Sequence, residues 1–224
     1  SAFTDLIEKD RAQRQAQEWR GTFLEYLDKV KTDPSVAKLA HARLNDAITA
    51  AGVNDISDSD DPKLKRLYGD EPIKTYPFFD QEFFGVERTL AQLARYFHSA
   101  SMHGEESRQV LYLMGPVGAG KSSLVERLQR GLEQSPPVYA IEGCPMAEEP
   151  LHLIPKHLRP EFEKTLNVHI EGELCPVCRF RLKEEFSGRY ESVPVVTVPF
   201  SRHDRRGVGV VPPVDPNNQD TSVL

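Results

Sequence analysis

Cysteine is scarce in this sequence. Three in 224 residues is an odd, small number that argues against a disulfide scaffold and for a reducing compartment such as the cytoplasm. Long hydrophobic runs are missing as well. The longest stretch without Asp, Glu, Lys or Arg, Gln109 to Gly120, is broken by glycine and proline. It falls far short of the roughly 18 to 20 apolar residues of a membrane span, so no membrane helix is expected. Nor is there a basic excess: 28 Lys and Arg against 34 Asp and Glu leave a net charge of −6, which disfavours a nucleic acid partner. The opening residues are dense in charged and amide side chains where a secretion signal would need an apolar region. The chain starts Ser1-Ala2 without methionine and stops at Val223-Leu224 without a closing helix, and it reads as a fragment.

What remains is the composition of a polar globular protein, 39% hydrophobic and 28% charged, long enough for one good-sized domain plus an appendage. Residues 3 to about 50 hold one proline, Pro34. Their apolar residues fall at helical spacing: Trp19, Phe23, Tyr26, Leu27 and Val30, then Val36, Leu39, Leu44 and Ile48. Thr32-Asp33-Pro34-Ser35 supplies a stop and a fresh cap, so a helical hairpin is expected. The acidic, aperiodic run Asn54 to Asp61 reads as a solvated loop; a calcium loop would need glycine and glutamate at fixed offsets. A further helix is expected from Gln81 or Gly85 to His98.

Val110-Leu111-Tyr112-Leu113-Met114 is a continuous apolar run of strand length, as expected for a buried parallel strand. A helix from Ser122 to Gln134 and a strand Val138 to Ile141 follow, which together predict one βαβ unit. Twelve of the 17 prolines lie at or after Pro136, which excludes long helices from the last part of the chain. Val195 to Val198 and Val208 to Val211 are the strand candidates there.

Between the apolar run and the helix, Gly115-Pro116-Val117-Gly118-Ala119-Gly120-Lys121-Ser122 fits G-x-x-x-x-G-K-[ST] at every fixed position, with Ser123 following. Glycines let backbone N–H groups come close to phosphate oxygens, and the following helix points its positive end at the same anion. Lys121 then offers a cation to the β and γ phosphates, and the Ser122 hydroxyl a ligand to Mg²⁺. A glycine-rich turn that binds nothing has no need of Lys-Ser at that offset. ATP with Mg²⁺ is the expected ligand. Hydrolysis or phosphoryl transfer also needs an acidic pair at the end of a neighbouring strand, and none is found: after Val198 the chain runs Pro199-Phe200-Ser201-Arg202-His203-Asp204. The residues predict a segment that binds nucleotide better than it uses it.

Cys175-Pro176-Val177-Cys178 is a C-x-x-C, preceded by Cys144 and by His152, His157 and His169. A C-x-x-C knuckle directs two thiolates at one zinc ion, and a closed site then needs two more nitrogen or sulfur ligands. Cys144 and His152 are the first choice, with His157 or His169 able to replace His152. A redox pair and unliganded cysteines are the alternatives.

Several strings resemble the bacterial PrkA proteins, a family described as serine protein kinases with an AAA+ ATPase core. They are Tyr112 to Ser123, Gly143-Cys144-Pro145-Met146, Glu148-Glu149-Pro150-Leu151-His152-Leu153-Ile154-Pro155, Leu174 to Arg179, Asp215-Pro216 and Gln219-Asp220-Thr221-Ser222. The resemblance implies an α/β chain with a P-loop AAA+ αβα core. On that reading residues 1–72 are an N-terminal helical appendage, 73–142 the first part of the core, 143–192 a cysteine-containing insertion with the zinc knuckle, and 193–224 further strands. Phe84-Gly85-Val86 is similar to the box whose backbone borders adenine, although a glycine at a helix start would explain it equally. The acidic pair, the sensors, the arginine finger and the kinase-like region would lie beyond Leu224, so that the core here is incomplete. The implied function is ATP-dependent phosphorylation of a protein substrate in stress or sporulation signalling, by a protein that is a homo-oligomer at full length. An AAA+ machine that remodels or degrades proteins, and a nucleotide-gated, zinc-stabilised partner-binding module, are the alternatives.

Overall fold

The computed structural model describes residues 3–5, 8–9, 18–55, 62–68, 73–79 and 82–211. Helix 1 of the expected hairpin is preceded by a short strand, β1 (Arg20–Thr22), and forms α1 (Phe23–Thr32). Its start is fixed by a capping box: Thr22 Oγ1 accepts from the Glu25 amide, and the Glu25 carboxylate accepts from the Thr22 amide at 2.6 Å. Those backbone and hydroxyl donors hold the Glu25 carboxyl below the usual carboxylate range. Asp33 caps a single 3₁₀ turn, Pro34–Ala37, and α2 (Ala40–Ala50) completes the hairpin. Trp19 lies outside the helix on which its spacing placed it. It leads into β1 and sets its ring edge-on to Tyr139, 5.3 Å between centroids. Gly21 makes this possible, since a Cβ there would lie 2.4 Å from the indole.

The chain continues through β2 (Asn54–Asp55), α3 (Pro62–Tyr68) and β3 (Lys74–Thr75). It then forms α4 (Glu87–Ser101), α5 (Lys121–Glu133) and β4 (Val138–Ile141). Last come α6 (Arg159–Leu166), α7 (Pro176–Glu184) and β5 (Pro194–Val198). The acidic run begins in β2, paired antiparallel with β3; residues 56–61 lie outside the described ones, as do Gln81 and the family strings after 211. No helix among the described residues is long and apolar enough to cross a membrane.

The sheet differs from the βαβ expectation. Its order is β1-β5-β4 and both pairings are antiparallel, with Gly21 opposite Val195 and Ala140 opposite Val196. The apolar run Val110 to Met114 is not a strand: no described residue pairs with it, and Val110 is 92% and Met114 82% exposed. A strand is defined by its neighbours. β4 stands at the sheet edge with β5 on one side only, and the run forms no ladder with its other edge among the described residues, so it stays uncovered with only Leu113 touching the core. Val208 to Val211 is likewise unpaired, with Val211 70% exposed.

Two hydrophobic cores result, and the hairpin contributes to both. The first gathers Leu44 and Ile48 of α2, Phe78 and Phe79, the Leu90, Leu93, Ala94 and Phe97 face of α4, and Leu124, Leu128 and Leu132 of α5. The second gathers Phe23, Tyr26 and Val30 of α1, Ile141, Leu151, Leu153, Ile154, Leu166, Ile170, Cys178, Val193 and Val195. Buried Arg43 of α2 joins neighbouring segments by donating to the carbonyls of Val36, Lys38 and Pro136 at 2.8 to 2.9 Å. Three carbonyl partners satisfy a guanidinium that has lost its water.

Candidate functional site: a phosphate loop and a cysteine cluster

The glycine loop is a bare, solvent-facing arc delivered to the N-terminus of α5. Gly118 and Gly120 have φ of +84° and +78°, left-handed values that favour glycine, and Gly120 is the residue from which α5 starts. Two such residues in close succession turn successive backbone N–H groups toward one concave side. Gly115 lies close to Ala119 and to the Lys121 stem, so that any larger residue there would begin to fill the loop. The Lys121 ammonium donates to the carbonyls of Gly115 and Pro116, 2.7 Å each. Ser122 and Ser123 are exposed in the first helical turn, and Leu124 at the next position is buried and anchors the helix in the first core. Pro116 accepts from the Ala119 amide, while Val117 projects fully into solvent.

The Phe84-Gly85-Val86 segment lies near this loop through its neighbour. The ring of Phe83 stands 3.6 Å from where a Gly120 side chain would begin. Phe83 packs on Phe79 in the first core, whereas Phe84 is 79% exposed. Gly85 has φ +75° and its amide donates to the Glu87 carboxylate over 3.0 Å, so the segment is also the start of α4.

The second site is built from two segments. After β4, Gly143 with φ +73° lets the chain reverse: Cys144 donates its amide to Ile141, and Ala147 donates to Cys144. From the other side, Cys175 caps α7, its sulfur accepting from the Cys178 amide at 3.3 Å, and Pro176 occupies the first helical position where no N–H is needed. The sulfurs of Cys144, Cys175 and Cys178 and a carboxylate oxygen of Glu148 all lie within 4.8 Å of one another. Cys144 and Cys175 sulfurs are 3.9 Å apart, and all three cysteines are free.

Burial pushes the Cys144 thiol up, but backbone amides of Glu148 and Met146 and the neighbouring thiols outweigh it, leaving it below the ordinary thiol range. Burial and the adjoining thiols and Glu148 push Cys178 far above that range, and burial also raises Cys175. Glu148 would be raised by burial, yet the Cys175 amide and His152 hold it below the usual carboxylate range.

His152 stands outside the group of four. Its Nε2–H donates to the Glu171 carbonyl at 2.7 Å and its Nδ1 meets Glu148 Oε1 at 3.2 Å, so it reaches the group only through Glu148. His157 is exposed, and His169 pairs with Glu163 and packs edge-on to His103. Glu148 is the residue that sequence reasoning passed over. Its signal was its position four after Cys144, a turn that points a short-range ligand back at the same centre.

The family described as "PrkA AAA domain" matches residues 21–224. The chain is 42% identical over 224 aligned residues to "ATP-dependent protease PrkA" of Bacillus subtilis, covering 97% of this chain and 33% of that protein. It is 35% identical over 211 residues to "Serine/threonine kinase YeaG" of Escherichia coli K12, covering 91% of this chain and 32% of that protein. A shorter protein of Geobacillus stearothermophilus, "Uncharacterized protein in gldA 5'region", is 36% identical over 96 residues, 42% of this chain and 84% of its own. The chain thus spans about a third of the length of the first two relatives. No solved structure matches. With the family matching nearly the whole chain, this chain belongs to the PrkA AAA domain family.

Proposed function

We propose that this chain is the ATP-binding part of a PrkA-type serine protein kinase, gripping ATP with Mg²⁺ in the loop Gly115 to Ser123. The observation that carries the reading is the pair of left-handed glycines, Gly118 and Gly120, opening directly into α5 with Lys121 as its first residue. Backbone amides and a helix N-terminus then converge on one anion, with Lys121 able to exchange two carbonyl partners for phosphate oxygens. Ser122 would hold Mg²⁺ together with the nucleotide, and Phe84, Gly85 and Val86 would border the adenine. Phosphoryl transfer needs an acidic pair and an arginine besides, and is assigned to the longer protein, acting as a homo-oligomer on protein substrates in the bacterial cytoplasm.

Degradation or remodelling of proteins with ATP is the second reading, favoured by the printed name of the Bacillus subtilis relative. One experiment separates them. The full-length protein is incubated with ATP, Mg²⁺ and casein, and the casein is analysed by intact mass and for phosphoserine. Phosphoserine on uncut casein supports the kinase. ATP-dependent fragments without added phosphate support the protease and overturn the kinase.

A further inference from the structure

We propose that Cys144, Cys175, Cys178 and Glu148 hold one structural Zn²⁺, with Glu148 as the fourth ligand and His152 as its hydrogen-bonded partner outside the coordination shell. Tetrahedral zinc with bonds to sulfur of about 2.3 Å has sulfur-to-sulfur edges of about 3.8 Å. The Cys144 and Cys175 sulfurs are 3.9 Å apart, and every donor atom of the four residues falls within 4.8 Å of the others. A disulfide would need those sulfurs about 2.05 Å apart. Sulfur-rich donor sets suit zinc, copper(I) and iron, and a closed group of four sulfur and carboxylate donors is the arrangement of structural zinc.

The supporting bonds have the pattern of ligands held in place. Cys175 accepts an N–H at its sulfur from Cys178, and Glu148 accepts the Cys175 amide on both oxygens at 2.8 and 2.9 Å. A carboxylate has about four acceptor sites, so one remains to face the sulfurs. His152 lies outside the group of converging donor atoms, its Nδ1 against Glu148 Oε1 and its Nε2–H on the Glu171 carbonyl, and from there it orients Glu148. The ion would tie the turn after β4 to the start of α7, segments 31 residues apart in the chain that meet at the edge of the second core.

The test is metal analysis of the 224-residue protein, purified without chelator, together with Co²⁺ reconstitution. The inference expects about one zinc per chain and a thiolate-to-cobalt charge-transfer band with the intense visible bands of tetrahedral cobalt. Glu148→Ala should shift the visible bands. His152→Ala should leave their positions unchanged while weakening metal affinity about 10- to 100-fold. Wild-type protein without zinc and without a cobalt charge-transfer band overturns the site, and stoichiometric iron overturns zinc as its occupant. Bands that move in His152→Ala and stay in Glu148→Ala overturn the choice of Glu148. The wild-type measurements decide the site even if a variant does not fold.

Discussion

The Nζ of Lys121 lies 2.7 Å from the carbonyl oxygen of Gly115, six residues earlier, and at the same distance from that of Pro116. The ammonium thus holds the loop by its own backbone, with carbonyls standing where phosphate oxygens would be. Removing it exposes those carbonyls to water, since Gly115 and Pro116 are both exposed.

Lys121→Ala should therefore abolish measurable ATP-Mg²⁺ binding while leaving the fold intact. Titration calorimetry on wild type and variant, with circular dichroism on both, checks it. Equal affinity in the two would defeat the assignment of the loop.

Tyr26 is fully buried in the second core, and its hydroxyl donates to Glu149 Oε1 at 2.8 Å. Burial and the Glu149 charge hold the phenol far above its ordinary range, so it stays a donor at any working pH. Tyr26→Phe keeps the ring and leaves Glu149 Oε1 with only the longer bond from the Leu151 amide at 3.4 Å, and should cost about 1 to 3 kcal/mol. Urea unfolding measures this; an unchanged midpoint would mean the bond contributes nothing.

Gly131 lies in the last turn of α5, two residues before its end, where alanine in place of glycine stabilises a helix by at most about 1 kcal/mol. Here a Cβ would come within 2.8 Å of the buried Phe78 ring, on which the Arg127 guanidinium stacks at 4.1 Å. Overpacking costs about 1 to 3 kcal/mol and outweighs the propensity gain. Gly131→Ala should lower the melting temperature, and Phe78→Leu added to it should restore part of the loss. A variant more stable than wild type would show that Phe78 yields freely.

His41 of α2 shares a cavity with Lys38, His103 and His169. Burial, and then the neighbouring His103, lower its pKa from the ordinary imidazole value. The folded state then binds the proton less readily than the unfolded one. Its contribution is present above about pH 6.5 and is lost as pH falls toward the lowered value. Melting temperature followed from pH 7.5 to 5.5 should fall less for His41→Gln than for wild type; parallel curves would exclude His41 as a source of acid sensitivity.

Features that depend on neighbours along the chain were legible in the sequence. The Thr32 to Ser35 break became the Asp33-capped turn between α1 and α2, and the spacing of Leu124, Leu128 and Leu132 became the buried face of α5. The glycines at 118 and 120 took the left-handed backbone that the motif requires. These are local matters, because capping, helical periodicity and glycine's freedom are fixed within a few residues.

Partnerships across the chain were settled only by tertiary structure. Arg20–Thr22 is too short to announce itself, and becomes a strand because Pro194–Val198 offers a free edge 174 residues away, while the far more apolar Val110 to Met114 finds no partner among the described residues. His152 was the better zinc ligand by residue type. The fold turned it to Glu171 and placed Glu148 beside the three sulfurs, since a ligand set is decided by which atoms converge in space. Chemistry at a position is written in the residue, but proximity is written in the packing of segments that the residue itself does not control.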